Sequence, residues 1–545
     1  MGFDGDVSRK EFLGVLATLA VAGALPMRAA AQDQEAPAID AALLKSLEPM
    51  LKLGFTDEEL EAILRTVRGF PAGFDAVRAM PIDYTIEPPT PFKPWGRVPT
   101  TRAGTSVRTT RVESRTLPSS EEAIAFLSAR ELAAHVRARR ISPVELTNLY
   151  LRRIERLDPK LLCVVTLTPE LALEQARQAE REIGQGKYRG PLHGLPFAIK
   201  DLFATKGIPT TWGAGPYADQ VFDTDATVVQ KLRAAGAVML GKFSLGALAM
   251  GDQWFKGRTN NPWNLEEGSS GSSAGSACAM AAGLAAFSVG TETLGSIVSP
   301  SHQCRVTGLR PTYGRTSRAG AMAVSWTMDK VGPICREVED TALVFAALHG
   351  SDPLDAATVD RPFHFKPQAD LGKLKIGVLG ALPEEATKVL ERLGAKLEPI
   401  QFDPMPAGVS VILGVEAAAA FDAFTRSDQI DGLTRTTWPI TYRANRYVPA
   451  VEYLQAQRGR TLLQRRFEEQ LGDFDLFVAP ERALATLTIT NLTGHPQVLL
   501  PFGSDDRGRQ RSISFVGRLY DEATILSVAS MVQRATDYHK KHPSL

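Results

Sequence analysis

The chain has 545 residues, of which 44 % are hydrophobic and 23 % charged, and its 62 basic residues nearly balance its 61 acidic residues. This composition is typical of a globular enzyme with one very large domain or several ordinary ones, and the net charge of +1 gives no general attraction for nucleic acid or an anionic membrane. The four cysteines show neither CxxC spacing nor pairing with histidine, so no zinc site or disulfide framework is indicated, and we expect buried free thiols.

Residues 1–31 have the pattern of an export leader. Arg9 and Lys10 precede an apolar run over residues 12–25, and Ala29–Ala31 offers a small-residue cleavage site. The run is shorter than the roughly 20 residues that span a bilayer, so we expect cleavage and no stable membrane insertion afterwards. The basic pair resembles the twin-arginine motif with Lys10 in the second position, and a general secretory signal is the alternative. We therefore predict a periplasmic or extracellular protein.

Residues 32–118 form an extension that precedes the main domain. Its first part, up to residue 78, has helical patterning, with a capping box between Thr56 and Glu59. The remainder is rich in Pro and Thr, and we expect an extended arm lying on the main domain, or a linker.

Residues 119–545 alternate helical and strand-like patterns, which indicates an α/β fold. Capping boxes predict two early helices, at Ser128 with Glu131 and at Ser142 with Glu145. The second of these helices is expected to end near Pro159. Further helices are predicted over residues 171–184, 228–235, 338–348 and 384–393, and strands over residues 195–202, 237–241 and 374–379.

The stretch from Glu267 to Tyr313 carries most of the chemical information. A Gly/Ser-rich loop leads into a small-residue apolar run over residues 274–289 and then into a second glycine-punctuated turn over residues 290–296. Small residues let the two loops lie close together and aim hydroxyls and backbone N–H groups at one point, as acyl transfer requires.

Three other interpretations of this stretch are less consistent with its residues. A flexible linker does not run straight into an apolar helical segment. A phosphate-binding loop needs a lysine after its glycines, and none is present. Residues 271–275 match the G-x-S-x-G nucleophile elbow, but that turn must follow a hydrophobic strand, and residues 260–267 do not form one.

Several separated motifs in this chain resemble those of the amidase signature family. They are SGSSAGS at 270–276, LGSI at 294–297, GLRPTYGR at 308–315, GLPFAIKD at 194–201, NLTGHP at 491–496 and VGRLYDEA at 516–523. The resemblance covers roughly residues 119–530. It implies one large amidase-signature domain with a central mixed β-sheet covered by helices on both faces.

The resemblance implies a Ser-Ser-Lys catalytic triad. Ser296 would be the nucleophile, Ser272 would bridge it to Lys200, and Lys200 would be the base. The peptide bond between Gly271 and Ser272 is expected to be cis. A lysine can act as a base only when neutral, and burial would lower its pKa from the usual value of about 10.4. Strand alternation should point Asp201 to the opposite face.

The resemblance also implies an oxyanion hole and assigns residues to substrate binding. The oxyanion donors would be the backbone N–H groups of Thr293, Leu294, Gly295 and Ser296. The residues assigned to substrate binding are Met250 and Ser273. No metal or cofactor is implied. The expected partner is a small-molecule amide and not nucleic acid, and assembly into a homodimer is left open.

The chain departs from the family pattern at four positions. Leu294 stands for a glycine of the GGSI motif, Glu292 for an aspartate, Val298 for the arginine after the nucleophile, and Arg305 for a glycine after the signature cysteine. An unpaired buried carboxylate would be costly, so our hypothesis is that Arg305 pairs with Glu292. The alternative is that Arg305 points to solvent while backbone N–H groups satisfy Glu292.

The function that these observations favour is an exported amidase that hydrolyses a linear carboxylic amide through a serine acyl-enzyme. One alternative is the glutaminase component of a tRNA-dependent amidotransferase. The leader argues against it, and so does the lack of an acidic residue over residues 482–490, where we would expect a contact to the ammonium group of glutamine. The other is a catalytically weak binding protein on an amidase scaffold, which Leu294 and Val298 suggest.

The leader predicts a mature N-terminus near Gln32. N-terminal sequencing of the protein isolated from its native host should therefore begin near that residue. Replacing Arg9 and Lys10 together by glutamine should cause the precursor to accumulate. Soluble cytosolic protein that still begins with Met1 would contradict export.

Overall fold

The computed structural model of the chain describes residues 39–81, 104–112, 116–433 and 436–545. The predicted leader, residues 1–31, lies outside the described residues, and so does most of the Pro-rich arm. Within the described ranges, no helix combines the length and the apolar character that crossing a membrane requires.

Helices and strands follow one another through most of the described chain. The helices are α1 (Ala41–Ser46), α2 (Glu48–Leu51), α3 (Asp57–Val67), α4 (Phe70–Arg78), α5 (Glu121–Ala125), α6 (Ala129–Arg137), α7 (Pro143–Leu161), α8 (Pro169–Gly184), α9 (Thr227–Ala234), α10 (Ala274–Ala281), α11 (Val298–Gln303), α12 (Val338–Leu348), α13 (Glu384–Arg392), α14 (Val411–Ala420), α15 (Asp422–Thr425), α16 (Trp438–Asn445), α17 (Ala450–Leu471), α18 (Leu484–Thr493) and α19 (Glu522–Thr536). The strands are β1 (Thr105–Val107), β2 (Val164–Leu167), β3 (Pro196–Lys200), β4 (Val238–Phe243), β5 (Gln253–Trp254), β6 (Gly257–Arg258), β7 (Asn260–Asn261), β8 (Asn264–Gly268), β9 (Phe287–Glu292), β10 (Thr307–Arg310), β11 (Lys330–Cys335), β12 (Phe363–Phe365), β13 (Lys375–Val378), β14 (Lys396–Pro399), β15 (Leu476–Pro480), β16 (Gln497–Ser504) and β17 (Gln510–Gly517).

In the described chain, 11 strands form one sheet in the order β14-β13-β15-β17-β16-β10-β11-β9-β3-β4-β2. Strand β3 runs parallel to its neighbours β4 and β9, and β13 runs parallel to β14 and β15. The other neighbouring strands are antiparallel. The sheet is therefore mixed, as the family resemblance implies.

Both faces of this sheet are covered, as strand β15 shows. Successive side chains of a strand point to opposite faces. Leu476 and Val478 join an apolar cluster with α12, α13 and α19, whereas Phe477 and Ala479 join a second cluster with α14, α17 and α18. The predicted arrangement of helices on both faces is confirmed.

Local helix signals in the sequence correspond closely to the helices observed. The capping boxes that begin α6 and α7 are both formed, with Ser128 and Ser142 as the capping residues. Helix α7 runs two residues past the predicted end and includes Pro159 in its last turn. Its end is set instead by Leu162, which adopts a left-handed conformation and donates its N–H to the Asp158 carbonyl at 2.8 Å.

The described part of the extension packs on the main domain. The Thr56–Glu59 capping box begins α3, as predicted, and Leu60 and Ile63 of this helix pack in a cluster with Ala444 of α16. In the arm, β1 pairs in parallel with β12. The arm therefore lies against the domain where it is described, which is the first of the two arrangements we expected.

Candidate active site

Three segments meet at the C-terminal ends of β3 and β9. These strands are parallel neighbours, so Lys200 at the end of β3 comes close to Thr291 near the end of β9. The loop before α10 brings Ser272 and Ser273 to the same place. The turn after β9 adds Ser296, whose carbonyl accepts the Ser273 N–H at 3.1 Å. The structure thus brings the three predicted triad segments together.

Small residues make this convergence possible. Helix α10 is fully buried along its length. A Cβ added at Gly290 would lie 2.5 Å from the Ser273 hydroxyl, and one added at Gly271 would lie 1.8 Å from the Gly251 carbonyl oxygen. Such contacts are too close for any side chain, so both positions require glycine. The peptide bond between Gly271 and Ser272 is cis, as expected.

The amine of Lys200 is buried among hydroxyl groups. Its Nζ lies 2.9 Å from Ser272 Oγ, 3.1 Å from Ser273 Oγ and 2.9 Å from Thr291 Oγ1. Burial lowers the pKa of Lys200 to about 7, although the charges of Asp329 and Glu292 act in the opposite direction. A fully buried lysine whose nearest partners are neutral can lose its proton near neutral pH, as a general base must.

Asp201, the next residue along β3, faces away from this group. Its carboxylate lies 3.0 Å from the Lys242 amine and accepts the Thr211 N–H at 3.0 Å. The expectation from strand alternation is confirmed, and this carboxylate does not hold Lys200 in its charged form.

The turn from Thr293 to Ser296 links β9 to α11 and lies at the edge of the site. Gly295 has a φ of +85°, which a residue with a side chain rarely adopts. Among the hydrogen bonds of the described residues, none uses the backbone N–H groups of this turn. Their role as oxyanion donors stays a prediction.

Glu292 braces this turn from inside the protein. Its Oε2 accepts the N–H groups of Ile297 and Val298 at 2.8 and 3.0 Å, while its Oε1 accepts from Arg310 at 2.9 Å and from Asn491 at 3.0 Å. Burial by itself raises the pKa of Glu292, but the Arg310 guanidinium, the Lys330 charge and the hydrogen bond from the Val298 N–H together outweigh burial and lower the pKa to about 2.

The predicted pair between Arg305 and Glu292 is wrong. Arg305 lies over the Trp263 ring, 4.5 Å from its centroid, and donates to Ser504 Oγ and to the Gly508 carbonyl. The guanidinium that pairs with Glu292 belongs to Arg310. Backbone N–H groups do donate to Glu292, as the alternative states, but the buried Arg310 guanidinium also pairs with this carboxylate.

The two residues assigned to substrate binding have partners within the protein. Ser273 Oγ contacts Lys200 and donates to the Thr291 carbonyl at 3.1 Å. The Met250 sulfur accepts a hydrogen bond from Thr437 Oγ1 at 3.2 Å. Their contact with a substrate stays a prediction.

The described residues include no group of three or more His, Cys, Asp or Glu side chains that could hold a metal ion. All four cysteines are buried free thiols, as expected.

Sequence reasoning missed the residues that support the site. Thr291 contacts the Lys200 amine, and Asn491 donates to the Glu292 carboxylate. Asp329 accepts a hydrogen bond from Thr293 Oγ1 at 2.6 Å. Asn491 lies within a recognised motif, so it could have been assigned to the site. Asp329 carries no local signal that separates it from a surface aspartate.

A family model described as Amidase matches residues 145–506. The chain belongs to this family. It is also 34 % identical over 482 residues to a glutamyl-tRNA(Gln) amidotransferase subunit from Moorella thermoacetica, an alignment that covers 77 % of this chain and 99 % of that protein.

Solved structures agree with this assignment. The peptide amidase from Stenotrophomonas maltophilia superposes with a TM-score of 0.68 at 28 % identity, covering 75 % of this chain and 97 % of that one. A bacterial aryl acylamidase of the amidase signature family gives a TM-score of 0.69 at 24 % identity, covering 77 % and 99 %, and supports the fold alone. Members of this family are enzymes that act on carbon–nitrogen bonds of amides, and this chain is one of them.

The two arginines should differ sharply in their effect on stability. Arg310→Met leaves the Glu292 carboxylate buried without its cation, which typically costs about 3–5 kcal/mol of unfolding free energy. Arg305→Gln removes a partly exposed stacking contact worth about 0.5–1 kcal/mol. Urea unfolding of both variants measures the difference. An equal loss in the two variants would contradict the observed pairing.

Proposed function

We propose that this chain hydrolyses a carboxylic amide by way of an acyl-enzyme on Ser296. The observation that carries the proposal is the buried amine of Lys200, hydrogen-bonded to Ser272 beside the turn that holds Ser296. A base of this kind, a bridging hydroxyl and a nucleophile are the groups that acyl transfer needs.

In the first half of the proposed reaction, neutral Lys200 accepts the Ser272 proton while Ser272 accepts the proton of Ser296. Ser296 Oγ forms a bond to the amide carbon, and the carbonyl oxygen becomes an oxyanion held by the N–H groups of the turn. The C–N bond then breaks, and the proton returns from Lys200 through Ser272 to the leaving amine. This leaves an ester on Ser296.

In the second half, a water molecule replaces the amine. The same relay takes a proton from the water as its oxygen bonds to the acyl carbon, and the Ser296 oxygen leaves and recovers its proton. The products are a carboxylic acid and an amine or ammonia, and the enzyme returns to its starting state.

The glutaminase component of an amidotransferase is the second candidate. The 34 % identity to curated amidotransferase subunits supports it more directly than any finding supports a stand-alone exported amidase. It would use the same groups to release ammonia from glutamine within a complex. Glutaminase assays of the isolated chain, together with a search for co-purifying subunits from the native host, separate the two candidates.

Export to the periplasm or the extracellular space is part of the stand-alone proposal. It rests on the pattern of residues 1–31 alone, with their basic pair, apolar run and alanine-rich cleavage site. A protein that is not exported would favour the amidotransferase candidate, because the subunits of a complex that acts on tRNA would be in the cytosol.

Ser296→Ala should abolish amide hydrolysis and leave the fold intact. Ser272→Ala and Lys200→Ala should each lower kcat by several orders of magnitude, and their combination by little more, because the members of a triad act as a unit. Ser270→Ala in the same loop is the matched control and should keep nearly full activity. A Ser296→Ala protein with wild-type turnover would exclude the mechanism. Failure of a fluorophosphonate to label Ser296 in the wild type would instead favour a weakly active binding protein.

The pH dependence of kcat/KM should report the pKa of Lys200. The base must be neutral, so activity should rise with pH through about 7, the pKa that burial gives this lysine. Below that pH, each unit should lower kcat/KM about tenfold, because the protonated fraction cannot accept the Ser272 proton. Lys200→Arg should be inactive at every pH, since its guanidinium stays charged. A flat profile from about pH 5 to about pH 9 would rule out a titrating base.

A further inference from the structure

A cavity of about 230 Å³ adjoins the site on the side of Thr291 and Thr293. Thr291 contacts the Lys200 amine, and Thr293 begins the proposed oxyanion turn, so a group in this cavity would lie beside the reacting amide. A cavity of about 150 Å³ is enough to hold a benzene ring. The space is therefore large enough for a ring or a branched aliphatic group.

The walls of this cavity are mainly apolar. Besides several alanines, the apolar lining residues are Leu202, Met322, Val324, Trp326, Val331 and Leu354. Trp326 is 49 % exposed and Leu354 is 75 % exposed. Large apolar side chains that stay accessible around a concave site are a mark of ligand binding, because their burial by a ligand removes apolar surface from water.

Charged side chains also line the cavity, but each of them is held by partners within the protein. The Arg318 guanidinium makes two bonds to Asp355, at 2.9 and 2.7 Å. Asp355 accepts further N–H groups from the backbone of Arg318 and Ala357. The two charged groups already bind each other, so few of their hydrogen-bonding positions are left for a charged ligand.

The other two charged groups are similarly engaged. Asp329 accepts from Thr293 Oγ1 through one carboxylate oxygen, and from the N–H groups of Val324 and Ser325 through the other. The Lys330 amine donates to the Met328 carbonyl, and burial lowers its pKa. Free glutamine carries an ammonium and a carboxylate, and binding it here would require breaking these bonds.

We propose that this cavity, defined by Thr293, Trp326 and Leu354, receives an uncharged apolar group that flanks the scissile amide. This rests on the proposed amide hydrolysis at Ser296. It assigns the enzyme to amides that carry an aromatic or branched aliphatic group next to the C–N bond, rather than to free glutamine. Leu294, which follows Thr293 in the sequence and stands where the family has glycine, is 39 % exposed but does not line this cavity.

Rates of hydrolysis of four amides test the proposal on the purified full chain. They are acetamide, phenylacetamide, acetanilide and L-glutamine. At least one of the two aromatic amides should exceed both acetamide and glutamine in kcat/KM by about 10-fold or more, since even one methylene group in an apolar pocket changes this ratio by about 10–200-fold. The aromatic amide that is preferred shows whether the cavity faces the acyl or the amine side. Glutamine as the best substrate would overturn the proposal.

Two variants locate the effect in the cavity. Ala323→Leu fills the apolar space and should lower kcat/KM for the aromatic amide by about 10-fold or more, while acetamide hydrolysis stays within about twofold of wild type. Trp326→Ala, at a half-exposed position, should also lower kcat/KM for the aromatic amide alone. Leu454→Ser, at an exposed leucine of α17 that does not line the cavity, is the matched control. Equal losses for both substrates in the cavity variants would contradict the assignment.

The proposal can fail without the hydrolytic mechanism failing. If a fluorophosphonate labels Ser296 in the wild type but no aromatic amide is turned over faster than acetamide, the cavity assignment is wrong and the acyl-enzyme chemistry stands. If Ser296→Ala retains activity, the chemistry itself is wrong.

Discussion

The buried amine of Lys200 is the constraint on which the rest of the site depends. A charged ammonium in this position would be poorly solvated, so burial favours the neutral form and brings the pKa to about 7. The protein keeps the nearest contacts of the amine to hydroxyl groups, those of Ser272, Ser273 and Thr291. A carboxylate in direct contact would favour the charged form of Lys200, and the amine could then not accept a proton.

The carboxylates near Lys200 are held by other partners, so they do not return its pKa to the ordinary value. Asp201 is turned to Lys242, and Glu292 is paired with Arg310, so neither carboxylate binds the Lys200 amine. Glu292 has a second task, because it accepts the N–H group of Ile297 and thereby holds the turn that carries Ser296. The position of the turn that carries Ser296, the proposed nucleophile, and the protonation of Lys200, the proposed base, are thus linked through one buried ion pair.

Features encoded over a few residues were predictable from the sequence, and features that depend on sheet order were not. The capping boxes at Ser128 and Ser142 need only residues three positions apart, and both are present. The partner of Glu292 depends on the strands β9 and β10 lying on either side of β11, which no local pattern specifies. Arg305 is closer in sequence to Glu292, but it follows α11 and faces the β16–β17 connection instead. The triad itself was found through motifs, and its roles stay predictions.

The protonation of Lys200 in the resting enzyme tests this account most directly. Selective ¹³C labelling of the lysine ε-carbons, with Lys200→Met to assign the signal, gives the pKa by NMR titration of the folded protein. The account predicts a midpoint near 7, the value that burial gives this amine. A midpoint near the ordinary value of about 10.4 would mean that Lys200 is charged at neutral pH and cannot be the base.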